Sequence, residues 1–142
     1  MAILFNQSAL TDFSKALMTA LSPITTISGI KIYDHVPQNQ ETYPYIVVGD
    51  MTEQSWGDKT APGSQITVSI NIYYKDKSSL SVKSIVDTIT ETLDTNFNVN
   101  NWNLIYIELS DNSVSEVGNS VYIGTVSLNF YLLEEQTTNA TN

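Results

Sequence analysis

Three features of the sequence predict an α+β fold, in which a mostly antiparallel sheet of about five strands carries two helices on one face in the order α-β-β-β-α-β-β. Ile66, Val68, Ile70, Ile72 and Tyr74 alternate with Thr67, Ser69, Asn71 and Tyr73, the period of a strand with one buried face. Two other segments carry apolar residues at steps of three and four, which gives each a single helical stripe. The remaining apolar runs are short and separated by polar turns, so strands follow strands, pair antiparallel and leave one face for both stripes.

Taken in order, residues 8–21 form the first helix, where Leu10, Phe13, Leu17 and Leu21 share a face and Pro23 helps to end it. Residues 30–36 make a short strand, broken by Pro37 and the polar run to Thr42. Residues 45–51 read as the second strand. Residues 53–64 are punctuated by Gly and Pro and read as a loop of about a dozen residues, a length at which connections tend to carry function. The alternating strand over residues 66–74 comes next. Ser78 or Ser79 can then cap a second helix, whose Val82, Ile85, Val86, Ile89 and Leu93 form a continuous stripe ending near Asn96. Residues 102–109 and 121–132 are the last two strands, divided by the polar stretch 110–120. Residues 1–133 thus make one domain, and residues 134–142, which lack a large apolar side chain, a polar and flexible C-terminal tail.

Composition excludes several kinds of chemistry. With 142 residues and 42% hydrophobic content, the chain can bury roughly two-thirds of its unfolded surface and needs no metal or disulfide to hold a core. Its 0 Cys remove thiolate nucleophiles, Fe–S clusters and cysteine zinc sites. The one His, His35, has Asp34 beside it, but neighbours on a strand point to opposite faces, so Asp34 does not orient that imidazole for a triad. His35 reads as a half-exposed strand residue before the Pro37 turn. No pair among the 15 acids is singled out by an apolar setting that would raise one pKa. The stretch from Asp111 to Glu116 has oxygen ligands at alternate positions, yet it lacks the glycine and the distant Glu of a calcium loop and reads as a turn. Gly57 and Gly63 are not followed by the Lys-Ser or Lys-Thr of a phosphate loop. The expectation is a non-enzyme with no catalytic residue, cofactor or metal.

Charge narrows the partners. The formal net charge is −9, all 6 basic residues are Lys, and beyond Lys83 every charged residue is acidic. Phosphate contacts to nucleic acid would be few and opposed by long-range repulsion, while an acidic surface keeps a small domain dispersed. No apolar run approaches the ~18 residues that span a bilayer, and Met1 to Phe5 is too short and lacks a basic lead for a signal peptide. No membrane partner is expected, and synthesis in a cytoplasm is.

Two aromatic features stand out. Trp56 sits within the polar stretch 53–64, where it either tucks against its own domain or serves as a binding anchor. Tyr43-Pro44-Tyr45 is similar, since Pro44 extends the backbone at Tyr43 and the pair can be core edge or contact surface.

Over residues 31–94 the sequence resembles the tail-completion or tail-terminator family of long-tailed bacteriophages. The resemblance is carried by a strand ending at Val36 and Pro37, then Tyr43-Pro44-Tyr45 leading to Gly49 and Asp50. After these come Trp56 with Lys59 and Thr60, the strand from Thr67 to Tyr74, and a helix with Lys83 to Asp87 ending at Leu93 and Asp94. The resemblance implies an α+β subunit that forms a ring, a hexamer, on the head-proximal end of the tail tube. That ring stops tube growth and presents the surface that joins the tail to the head. Its implied partners are further copies of itself, the tail tube protein and the head-completion or connector protein, with genomic DNA passing through the lumen without specific binding. Its place is the tail or neck of the virion, after assembly in the host bacterial cytoplasm. Within it, Tyr43, Trp56, Asp58, Lys59 and Thr60 are candidates for subunit or tube contacts, because a protruding arm is what a ring subunit needs to reach a neighbour. A head-completion or stopper ring and a small acidic ligand-binding domain are the alternatives.

Overall fold

Alternation places five strands and two helices in the computed structural model, which describes residues 8–34, 43–58 and 60–135. The elements are α1 (Leu10–Ser28), β1 (Lys31–Tyr33), β2 (Tyr45–Gly57), β3 (Pro62–Lys75), α2 (Leu80–Asn96), β4 (Trp102–Gly118) and β5 (Val121–Glu134). They form a five-stranded sheet in the order β1-β2-β3-β5-β4. Three of the pairings are antiparallel, and the exception is β1 against β2, which run parallel through Lys31–Tyr45 and Tyr33–Val47.

One face of this sheet is apolar because the period of two holds through its centre. Ile66, Val68, Ile70 and Ile72 of β3 lie opposite Phe130, Leu128, Val126 and Gly124 of β5, and nearly all of these side chains are fully buried. Both helices lay their stripes here, α1 through Phe13, Leu17 and Leu21 and α2 through Val82, Val86, Ile89 and Leu93. Phe13 is the keystone, with its ring edge-on to Phe130 at 4.7 Å and to Phe97 at 5.5 Å. The other face carries no helix and is a ladder of short polar groups. Thr67 Oγ1 donates to Asn129 Oδ1 at 2.6 Å, Thr125 Oγ1 donates to Asn71 Oδ1 at 2.9 Å, and Ser69 and Ser127 meet at 3.2 Å.

Four boundaries differ from the sequence expectation, each for a physical reason. Pro23 lies inside α1 rather than at its end: the Thr19 carbonyl, which Pro23 cannot bond, accepts the Ser22 hydroxyl at 2.9 Å, and the helix continues to Gly29, whose N–H bonds the Thr25 carbonyl. The stretch 53–64 is not a long loop, because β2 runs on to Gly57 and β3 begins at Pro62. The polar stretch 110–120 is mostly strand, so the segment from Asp111 to Glu116 is paired to β5 rather than turned, and the reversal is confined to Asn119 and Ser120, both at positive φ. β5 extends through Glu134, one residue into the segment read as a tail, and Glu135 N–H still bonds the Asn101 carbonyl. His35, Pro37 and residues 136–142 lie outside the described residues.

Candidate functional site

The β2–β3 hairpin holds most of the residues singled out by sequence, and its geometry begins with a bulge. β2 pairs one-to-one with β3 up to Val48 and again from Met51, so Gly49 and Asp50 fall in an irregularity. The extra residue re-phases the strand. Ile46 and Val48 face the helices before it, and Met51 and Glu53 after it. Glu53 therefore reaches the helix side, where its carboxylate accepts Ala9 N–H at 2.8 Å and the hydroxyls of Ser8 and Ser64. Burial raises the Glu53 pKa, but the three donors outweigh it and hold the carboxyl below its ordinary value. In effect Glu53 caps α1 from β2, since Ala9 makes no side-chain cap of its own.

Trp56 is tucked against its own domain. Its indole N–H donates to the Leu132 carbonyl at 2.8 Å, its ring meets Tyr131 edge-on at 5.2 Å, and its register partner is Gly63. Gly63 is required there, because a Cβ would lie 2.5 Å from the Leu132 oxygen and 2.6 Å from the indole nitrogen. At the tip, Asp58 Oδ1 accepts Thr60 N–H at 2.9 Å, the Thr60 hydroxyl at 2.7 Å and Ala61 N–H at 2.9 Å. These bonds, the Thr60 hydroxyl first, keep the Asp58 carboxyl below its usual range. Gly57 enters the turn at φ +87, where a Cβ would collide with the Ala61 carbonyl. The tip is thus a tight turn tied by its own side chains. Lys59 lies outside the described residues.

Tyr43 is not part of this cluster. β2 separates it from Trp56 by about 40 Å at ~3.4 Å per residue. It is partly exposed and stacks on Tyr45 at 5.6 Å, which in turn stacks on Tyr73 at 4.8 Å. The structure therefore brings Trp56, Asp58 and Thr60 to one end of the sheet and Tyr43 to the other.

A third region was missed by sequence reasoning. Ile105, Tyr106, Leu109 and Val117 are exposed on β4, which lies at the border of the sheet. Its register with β5 shifts at three places, between Leu104 and Tyr106, Leu109 and Asp111, and Glu116 and Gly118. The only signal was the unbroken apolar run from Leu104 to Ile107, which one buried face cannot absorb. Among the described residues, no group of three or more His, Cys, Asp or Glu side chains could hold a metal ion, and no helix is long and apolar enough to cross a membrane.

Comparison with known proteins gives this geometry a family. The family model described as tail completion protein gp17 matches residues 15–132, most of the chain, from within α1 to near the end of β5. The chain belongs to this family. It is accordingly a structural protein of phage tail assembly. Among solved structures, a chain of the virion of a native gene transfer agent particle matches with a TM-score of 0.76 at 13% identity, covering 90% of this chain and 99% of that one. The bacteriophage SPP1 gp17 protein matches with a TM-score of 0.59 at 16% identity, covering 99% of this chain and 100% of that one. At these identities the likeness is one of fold. No curated protein matches. The five-stranded sheet with two helices on one face is thus a fold shared with proteins of distant sequence.

Proposed function

We propose that this tail completion protein assembles as a ring, a hexamer, on the head-proximal end of the tail tube, stops tube polymerisation there and offers the surface to which the head joins. The observation that carries the reading is the family match over residues 15–132. The solved virion of a gene transfer agent, one of whose chains shares the fold, supports a place within the particle. In this reading the partners are further copies of the chain, the tube protein below and the connector protein above. The chain then forms a single domain whose last strand runs through Glu134, and assembly takes place in the host cytoplasm.

Ring contacts fall to the tip of the β2–β3 hairpin, with Asp58, Lys59 and Thr60 facing a neighbour and Trp56 anchoring the hairpin from beneath. Tyr43 offers a second contact at the far end of β2. A turn already tied by Asp58 loses little conformational freedom on contact, which favours it as a docking arm. The net charge of −9 suits a channel through which DNA slides without adhering.

Electron microscopy of a lysate in which this gene carries a nonsense mutation tests the reading. Full heads beside unjoined tails of uncontrolled length are the expected outcome, because only loss of the stop releases tube growth. Tails of normal length that fail to join would replace the reading with a neck stopper, and intact infectious particles would overturn both.

A further inference from the structure

β4 borders the sheet, and among the described residues no strand pairs with its outer edge. Proteins usually blunt so long an edge with Lys, with Pro or by shortening it, because a row of unpaired N–H and C=O groups is a template for another strand. β4 runs for 17 residues and contains neither Lys nor Pro, and although its register shifts at three places, Tyr106–Leu109 and Asp111–Glu116 keep regular pairing between them. Ile105, Tyr106, Leu109 and Val117 stand exposed along it, Leu109 at 51% and Val117 at 58%. Next to the edge, on the helix side, lies a groove of about 280 Å³ between α2 and β4, where the apolar Leu93, Ile107, Leu109 and Leu128 are joined by Glu91 and Asp94 of α2. β4 itself carries Glu108, Asp111 and Glu116 and no basic residue.

We propose that this edge receives an extended Lys- or Arg-bearing segment of another protein as a sixth strand. The free backbone supplies the ladder bonds, and the groove over Ile107 and Leu109 takes the apolar side chains that alternate along the incoming segment. Acids on both faces of β4 select basic residues at the remaining positions: Glu108 and Asp111 on the helix-free face, and Glu91, Asp94 and Glu116 on the helix side. The same charges reject a second copy of this chain. Pairing β4 with β4 brings only acidic charges together, since the strand has no basic residue to oppose them, and antiparallel pairing about Asn112 sets Glu108 against Glu116, where like charges destabilise the ladder. Of the other edges without a described partner, β2 beyond Val48 carries Asp50 and Glu53 and no Lys through Gly57, and β1, which does carry Lys31, offers 3 residues against the 17 of β4. The site lies at the opposite border of the sheet from β1 and does not depend on the ring reading.

The test uses the full chain and three synthetic peptides of about ten residues, the length of a long strand. One alternates Val with Lys and Thr, one replaces every Lys by Glu, and one is the Lys peptide with alternate amides N-methylated. Fluorescence anisotropy measures affinity, and amide hydrogen exchange locates the bound peptide. The Lys peptide is expected to protect residues 104–116, to bind at least about tenfold more tightly than the Glu peptide and to weaken as salt is added. N-methylation is expected to abolish binding, since it removes the ladder bonds. The double variant Asp111→Lys, Glu116→Lys, checked for unchanged thermal unfolding, should narrow the preference for the Lys peptide, since Glu91, Asp94 and Glu108 remain. Should that variant not fold, the peptide comparison on the unaltered chain decides by itself. Absence of binding, equal affinity for the Lys and Glu peptides, or protection outside β4 would each overturn the proposal. So would protection of 104–116 by self-association of the chain alone, which would assign the edge to a second copy.

Discussion

The two hairpins of this protein invert the roles that their compositions suggest. The β2–β3 hairpin is polar, rich in Gly and Pro and bears a tryptophan, yet Trp56 is bonded to Leu132 and Asp58 is occupied by its own turn. The β4–β5 hairpin reads as a strand, a polar gap and another strand, yet it is one continuous ladder whose outer member leaves Ile105, Tyr106, Leu109 and Val117 exposed. What each side chain reaches decides the difference. Beyond Val48 both β2 and β4 have a strand neighbour on one side only, but Trp56 reaches over Gly63 of β3 to the Leu132 carbonyl and the Tyr131 ring of β5, whereas Ile105, Leu109 and Val117 of β4 stay exposed.

The contrast is sharpest between adjacent strands. Phe130 of β5 is fully buried and touches Phe13 and Phe97, so Phe130→Ala is expected to destabilise the fold by about 3–5 kcal/mol in urea unfolding, while Tyr106→Ala on β4, which loses a stacking contact with Tyr131, costs about 1–2 kcal/mol. Comparable losses would erase the distinction between centre and border. Trp56→Ala is expected to cost about 2–3 kcal/mol, since a packed ring and a hydrogen bond are both lost. A tryptophan awaiting a partner would leave the free protein's stability unchanged. Gly63→Ala forces a Cβ against the Leu132 carbonyl and the indole, and is expected to cost about 1–3 kcal/mol in the same measurement.

A smaller effect concerns pH. The folded-state pKa of Glu53 is depressed, so its contribution is present above the ordinary carboxylate pKa and is lost as pH falls through the depressed value. Thermal unfolding of Glu53→Gln should therefore fall below the parent at neutral pH and converge with it in acid. Parallel curves would show that the carboxylate is not the cap of α1. Smallest of all, Leu109→Ser is expected to stay within about 0.5 kcal/mol of the parent, because its side chain is half in solvent already. A large loss would mean that β4 belongs to the core.

The expected order of elements and their faces emerged intact because period carries them. The alternation of residues 66–74 and the stripe from Val82 to Leu93 need no knowledge of their surroundings to be read. The candidate contacts were less legible. Trp56 and the turn after it share a composition with mobile loops, and the bond from Trp56 to Leu132 spans 76 positions of sequence, beyond the reach of any local pattern. Glu53 looked like one surface acid among 15 until the bulge at Gly49 and Asp50 turned it towards Ala9.

By itself, then, the sequence determined the fold class, the two helical stripes, the buried face of the sheet and the family resemblance, since all of these follow from residue type and spacing along the chain. Tertiary structure alone decided the strand order, the continuation of β2 and β4 through polar stretches, the capping of α1 by Glu53 and the exposure of β4. A strand's second neighbour is set by packing between distant segments, and its side chains cannot reveal from their own order whether that neighbour is there.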